Sequence, residues 1–207
     1  MIFIREIGAG YYRLEAYYFS KLFVELPMGT LAPIILVVSN YFLAGLQSNA
    51  TSFFRLMGTS IILSNAATGL GIFITSLFQN LPAALAVVPI ILLPFMLFCG
   101  YLINYDSIPG YFWWIQWINP LKYAFTAMVK NEFLQPSGEP VLFSNCNFAD
   151  SDPRYKQQCL GSGLLELVDM DNQLDYSGNM WVLFAFFLCF IFLAYVTLYR
   201  MAPKNVI

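Results

Sequence analysis

Few side chains in this sequence are equipped for covalent chemistry, and their types narrow what it could be. None of the 207 residues is histidine, which removes the commonest general base and the commonest metal ligand. No GxxxxGK[ST] phosphate loop, HExxH helix or glycine-rich strand–turn–helix signature occurs. Catalysis would have to come from Asp, Glu, Ser or Cys, and no paired carboxylates fall within an apolar run. An intramembrane hydrolase is therefore unsupported, and neither a catalytic residue nor a metal site is assigned. Glu25, one turn from Lys21, stands at the edge of an apolar run. A carboxylate inside a bilayer is a functional candidate by default, but at this edge the pair reads as interfacial, with Lys21 snorkelling. Cys146 and Cys159 sit in a polar segment. Outside the cytosol they would favour a disulfide, worth about 3 kcal/mol for a loop of this length. Either could instead bridge to a second subunit. Cys99 and Cys189 lie in apolar runs and read as packing residues.

The elements that position these residues are set by composition. Hydrophobic residues make up 59% of the chain and charged ones 11%, against roughly 25% charged in a soluble domain. Mean hydropathy is +0.65. A soluble domain of this size could not bury so much apolar surface, so the solvent must be lipid. The net charge of −2 gives no sign of nucleic-acid binding. The opening MIFIREIGAG has too short an apolar core before Arg5 and Glu6 for a cleavable signal.

About 20 apolar residues cross the hydrocarbon, and the uncharged runs predict four spans, over 20–46, 54–78, 83–105 and 176–199. Residues 4–18 mix Arg5, Glu6, Arg13 and Glu15 with Tyr and Leu, the pattern of an amphipathic helix on a membrane surface. Pro27, Pro33, Pro89 and Pro94 are expected to kink their spans. Ala67, Gly69 and Gly71 suit close helix approach, and Asn65 is expected to bond between helices. The sequon at Asn49 is squeezed between two spans, which disfavours glycosylation. Residues 107–134 break at Pro109 and at Asn119-Pro120. Three of the four tryptophans, Trp113, Trp114 and Trp117, crowd the first half, as rings do where lipid meets headgroups. These features predict a re-entrant helical hairpin. Residues 135–175 form a polar loop; from Glu132 to Asp175 eight acids face only Arg154 and Lys156. Arg5, Arg13 and Lys21 flank the first span, and Arg200 and Lys204 follow the last, so both termini read as cytoplasmic. The hairpin and the two-cysteine loop then lie outside, extracellular or lumenal. The expected fold class is an all-α, multi-pass membrane protein.

The order of these features resembles the membrane domain of the G subfamily of ABC transporters, the white/brown and pleiotropic-drug-resistance type with the ABC-2 fold. The resemblance is carried by REIGAGYYRLEAYYFSKLFVELP at 5–27, FCGYLIN at 98–104 and NPLKYAFTAMVKNEF at 119–133. It covers almost the whole chain, which matches the last four spans of the family's six. It implies that Arg5, Glu6 and Arg13 belong to a coupling helix that touches a nucleotide-binding domain. It also implies a substrate path along the third span, with Leu93 and Met96 as wall residues and Asn104 at a polar position. The family's valve is often a leucine pair; here the matching positions are Tyr101 and Leu102, so the valve would carry a hydroxyl. Glu132 matches the hairpin's acidic residue.

By this resemblance the chain is the membrane part of an ATP-driven exporter of lipid-like or other hydrophobic small molecules, working by alternating access. ATP and Mg would be bound on a nucleotide-binding domain elsewhere, in the same full-length chain or a separate one. A second transporter half, as homo- or heterodimer, would complete it in the plasma membrane or an organelle membrane. The chain is then expected to be a fragment of a longer product or a truncated paralogue. The alternative is a non-transporting polytopic scaffold. A bacterial-type ABC-2 exporter is disfavoured by the long two-cysteine loop.

Overall fold

The computed structural model describes residues 13–46, 49–78, 81–103, 108–134 and 174–201. Their elements are helical: α1 (Leu14–Ala44), α2 (Ala50–Leu77), α3 (Leu81–Leu97), a 3-10 turn (Gly110–Phe112), α4 (Trp113–Ile118), α5 (Pro120–Phe133) and α6 (Tyr176–Met201). With a rise of 1.5 Å per residue, the 31, 28 and 26 residues of α1, α2 and α6 each exceed the roughly 30 Å of a hydrocarbon core. These three are long and apolar enough to cross a membrane. The chain is an integral membrane protein.

Two expected boundaries move. Residues 14–18 do not end an interfacial helix; they open α1, which continues through Pro27 and Pro33 to Ala44. Neither Gly nor Pro lies between Arg13 and Lys21 to stop it. The helix stops at Gly45, whose φ of 61° is the left-handed cap that glycine adopts without strain. The third expected span, 83–105, is the 17-residue α3, about 25 Å long. It ends eight residues early, in a turn through Cys99 and Gly100, where Gly100 has φ 92°. Asn49 accepts a hydrogen bond from Thr51 N at 3.1 Å and caps α2. The sequon's asparagine thus serves the turn.

α2 and α6 pack along their length, and the other helices lean on this pair. At one end, here termed proximal, Tyr18 of α1 lies against Ile72 of α2 and Ala194 of α6. Its hydroxyl donates to Ile191 O at 2.6 Å, and Ser76 meets Thr197. At the distal end, Tyr176 OH donates to Arg55 O at 2.9 Å, and the Arg55 guanidinium lies 5.0 Å from the Tyr176 ring centre. Between them Leu70, Ile74 and Phe190 form the core that receives Val88, Ile91 and Phe95 of α3. The Leu14 end of α1 and the Met201 end of α6 therefore share the proximal end. Phe23 and Leu43 stand 79% and 85% exposed. In water such a surface would aggregate; in a bilayer it faces acyl chains.

Of the three small residues expected at an interface, Gly69 alone is there. A Cβ on it would sit 3.3 Å from Phe190 Cβ, whereas one on Gly71 would meet nothing within 4 Å. Ala67 is exposed and its neighbour Ala66 is buried, because the helix turns its α6 face one residue earlier. Asn65 does not bond between helices. Its Nδ2 donates to Ile61 O of its own helix at 3.0 Å, and its Oδ1 is buried without a partner. Cys99 is buried as expected, but Cys189 is exposed, since the α6 core face runs through Leu183, Phe190 and Ala194. Gly69→Val should overpack the α2–α6 contact and cost about 1–3 kcal/mol, read as a lower unfolding midpoint in detergent. Gly71→Val should stay close to wild type in the same measurement.

Candidate functional site: the apolar face of α3 and the hairpin beside it

The expected substrate-path residues share one property. Leu93 and Met96 on α3, and Tyr101 and Leu102 just beyond it, are 54–73% exposed. The opposite side of α3, through Ile91 and Phe95, packs on α2 and α6. The Tyr101 ring meets Phe125 of α5 edge-on at 5.8 Å, so its position is tied to the hairpin. Asn104 lies outside the described residues, as do Arg5, Glu6, Cys146 and Cys159. Arg13 precedes α1, with its carbonyl accepting from Tyr17 N. Lys21 and Glu25 pair at 3.7 Å and are each about a third exposed, a contact worth little by itself. A cavity of about 360 Å³ lies at the α1–α2 turn, lined by Tyr41, Phe42 and Phe53, away from α3. Among the described residues no three or more Cys, Asp or Glu come together as a metal site.

The break at Asn119-Pro120 is held by side-chain hydrogen bonds. Pro120 opens α5 at its first turn, where the missing N–H costs nothing. The Asn119 side chain is fully buried. Its Oδ1 accepts from Leu121 N at 3.0 Å and caps α5. Its Nδ2 donates to Phe95 O at 2.7 Å, a last-turn carbonyl of α3 that a helix end otherwise leaves without a backbone donor. One side chain thus serves two helix ends.

α5 then lies against α2 and α6 on Ala124, Thr126 and Ala127, each at 1% exposure. Near its far end Asn131 Nδ2 donates to Ser52 O of α2 at 2.9 Å. Glu132, the hairpin acid singled out from the sequence, is half-buried in the last turn, beside the buried Asn131. The signal was available: two asparagines, twelve apart, stand at the two ends of this segment. Lys122 is also buried. Its Nζ donates to Gln116 Oε1 at 3.4 Å and lies 5.6 Å from the Trp117 ring centre.

A run of apolar helices has many possible families; sequence comparison decides between them. The model of the ABC-2 type transporter family matches residues 1–133. The chain belongs to the ABC-2 type transporter family. Its relatives are G-subfamily proteins over most of its length. The ABC transporter ATP-binding protein/permease wht-1 of Caenorhabditis elegans is 30% identical over 99% of this chain and 30% of its own. Protein white of Drosophila melanogaster is 27% identical over 73% of this chain and 24% of its own. The broad substrate specificity ATP-binding cassette transporter ABCG2 of Mus musculus is 29% identical over 95% and 30%. The chain therefore spans less than a third of the length of these relatives. Within this membrane domain, Asn131→Ala should remove the α5–α2 bond and destabilise the fold by about 1–3 kcal/mol. The loss should appear as a lower unfolding midpoint in detergent.

Proposed function

We propose that this chain is the membrane-spanning part of an ATP-driven exporter that moves lipid-like or other hydrophobic molecules by alternating access. The observation that carries the reading is the two-sided character of α3. One side is packed on α2 and α6, and the other, with the turn beyond it, presents Leu93, Met96, Tyr101 and Leu102 to whatever lies beyond the chain. An apolar wall of this kind selects by size and greasiness. A second transporter half would complete the cavity, with Tyr101 and Leu102 closing it at the distal end.

In this reading α3 is a fourth crossing. The Leu14 end of α1 and the Met201 end of α6 lie together, so the number of crossings between them must be even. Three long helices leave one to be supplied, and α3 supplies it despite its length. The hairpin is re-entrant. Its Tyr123 packs against Phe186, ten residues below Tyr176 and about 15 Å down α6. Both termini would then face the cytoplasm, with Arg5, Glu6 and Arg13 against a nucleotide-binding domain that holds ATP and Mg.

The names of the relatives support this reading: one is an ATP-binding protein/permease and another a broad-specificity ATP-binding cassette transporter. A ligand or nucleotide can shift such a two-state equilibrium only through different affinity for its states, so the coupling surface must differ between them. In proteoliposomes holding the full-length protein, a fluorescent hydrophobic probe should accumulate only with ATP and Mg. Arg13→Glu should uncouple hydrolysis from that accumulation without loss of membrane insertion. ATP-independent equilibration would contradict an ATP-driven exporter, and no movement at all would favour a scaffold.

A further inference from the structure

The two asparagines of the hairpin fasten it at both ends. Asn119 holds the last turn of α3 through Phe95 O, and Asn131 holds the first turn of α2 through Ser52 O. Both are buried, at 0% and 4% exposure. Between them α5 runs without a break, its alanines seated against α2 and α6. Elsewhere α3 has little hold. It meets α2 and α6 on a narrow side through Val88, Ile91 and Phe95, and turns most of its remaining surface outward. Beyond Phe95 its neighbours are hairpin residues: Phe98 and Ile103 pack with Phe125, Val129 and Phe133 around Ile108.

We propose that α5 is a strut that fixes the distal end of α3 to the distal end of α2, with Asn119 and Asn131 as its two fastenings. Asn119 is then a positioning residue for the substrate path. It touches no substrate, but it sets where Met96, Tyr101 and Leu102 stand. In lipid the fastening is strong for a simple reason. If Asn119 lets go of Phe95 O, no water replaces it. A strut of this kind makes α3 and the hairpin one moving body, so the swing of α3 is the swing of the whole distal cap. The consequence for transport rests on the exporter reading; the mechanical part does not.

The test uses Asn119→Ser in the full-length protein. Serine still caps α5, but its hydroxyl is too short to reach Phe95 O. Genetically encoded spin labels at Leu97 and Phe54, in nanodiscs, read the distance between the distal ends of α3 and α2. A single narrow distribution is expected in the wild type and a broadened one in N119S. Stimulation of ATP hydrolysis by a hydrophobic probe should fall about five- to tenfold, the size of one lost buried hydrogen bond, with basal hydrolysis kept. If N119S fails to reach the membrane, Asn131→Ser opens the other fastening and gives the same readout. A distribution as narrow in the variant as in the wild type would overturn the strut, as would a broad one in both. Broadening in a protein that moves no probe would keep the strut and remove the exporter reading.

Discussion

Lipid offers no partner to a peptide group, and this constraint bears on the places where the described helices end. Inside a long helix the backbone satisfies itself. At a helix end four carbonyls or four amides are left over, and near hydrocarbon they must be met by side chains. Asparagine meets some of them, and elsewhere adds a donor to a carbonyl near a helix start. Asn49 caps α2, Asn119 serves the ends of both α3 and α5, Asn131 reaches back to Ser52 O, and Asn179 donates to Leu174 O and Asp175 O at the start of α6. An amide side chain suits this work because it carries a donor and an acceptor and no charge to desolvate.

The same constraint explains how little of the chain is conventionally buried. Helices in a bilayer gain nothing from hiding leucine from leucine-like solvent, so they associate through close fit and a few polar contacts. α2 and α6 meet where Gly69 lets Phe190 approach. The bonds that cross between elements gather at the two ends of the bundle: Tyr18 to Ile191 and Ser76 with Thr197 at one, Tyr176 to Arg55 and Asn131 to Ser52 at the other. Large apolar residues on α1 and α3 stay outside. That leaves the outer side of α3 available both to lipid and to the partner half that the proposed exporter would need.

Much of this was legible in the residues. The absence of charge from 26–46, 56–105 and 176–199 and the 59% hydrophobic content led to apolar helices, and α1, α2 and α6 lie where those runs are. The three quoted motifs led to the family that the comparisons establish. What was misread depends on distance between elements, which periodicity does not carry. Asn65 was expected to bridge helices because asparagine in a span needs a partner, yet its own helix supplies Ile61 O. Cys189 was expected inside because it is apolar, yet it lies on the side of α6 away from Phe190. Asn131, which bonds to Ser52 O of α2, went unremarked because a neutral amide stands out less than the charge beside it. The end of α3 at Leu97 turns on a single positive φ at Gly100, and a glycine among eight uncharged neighbours gives no warning of it.

The central claim is that α3 crosses the membrane, so that the two ends of the bundle's described chain fall on one side. The direct measurement is the sidedness of its flanks. Single cysteines at Asn80 and Ser107 in the full-length protein, each on a background without the native cysteines, are exposed to a membrane-impermeant maleimide in intact and permeabilised cells. Reaction at Ser107 in intact cells and at Asn80 only after permeabilisation is the predicted result. Reaction of both from the same side would contradict it.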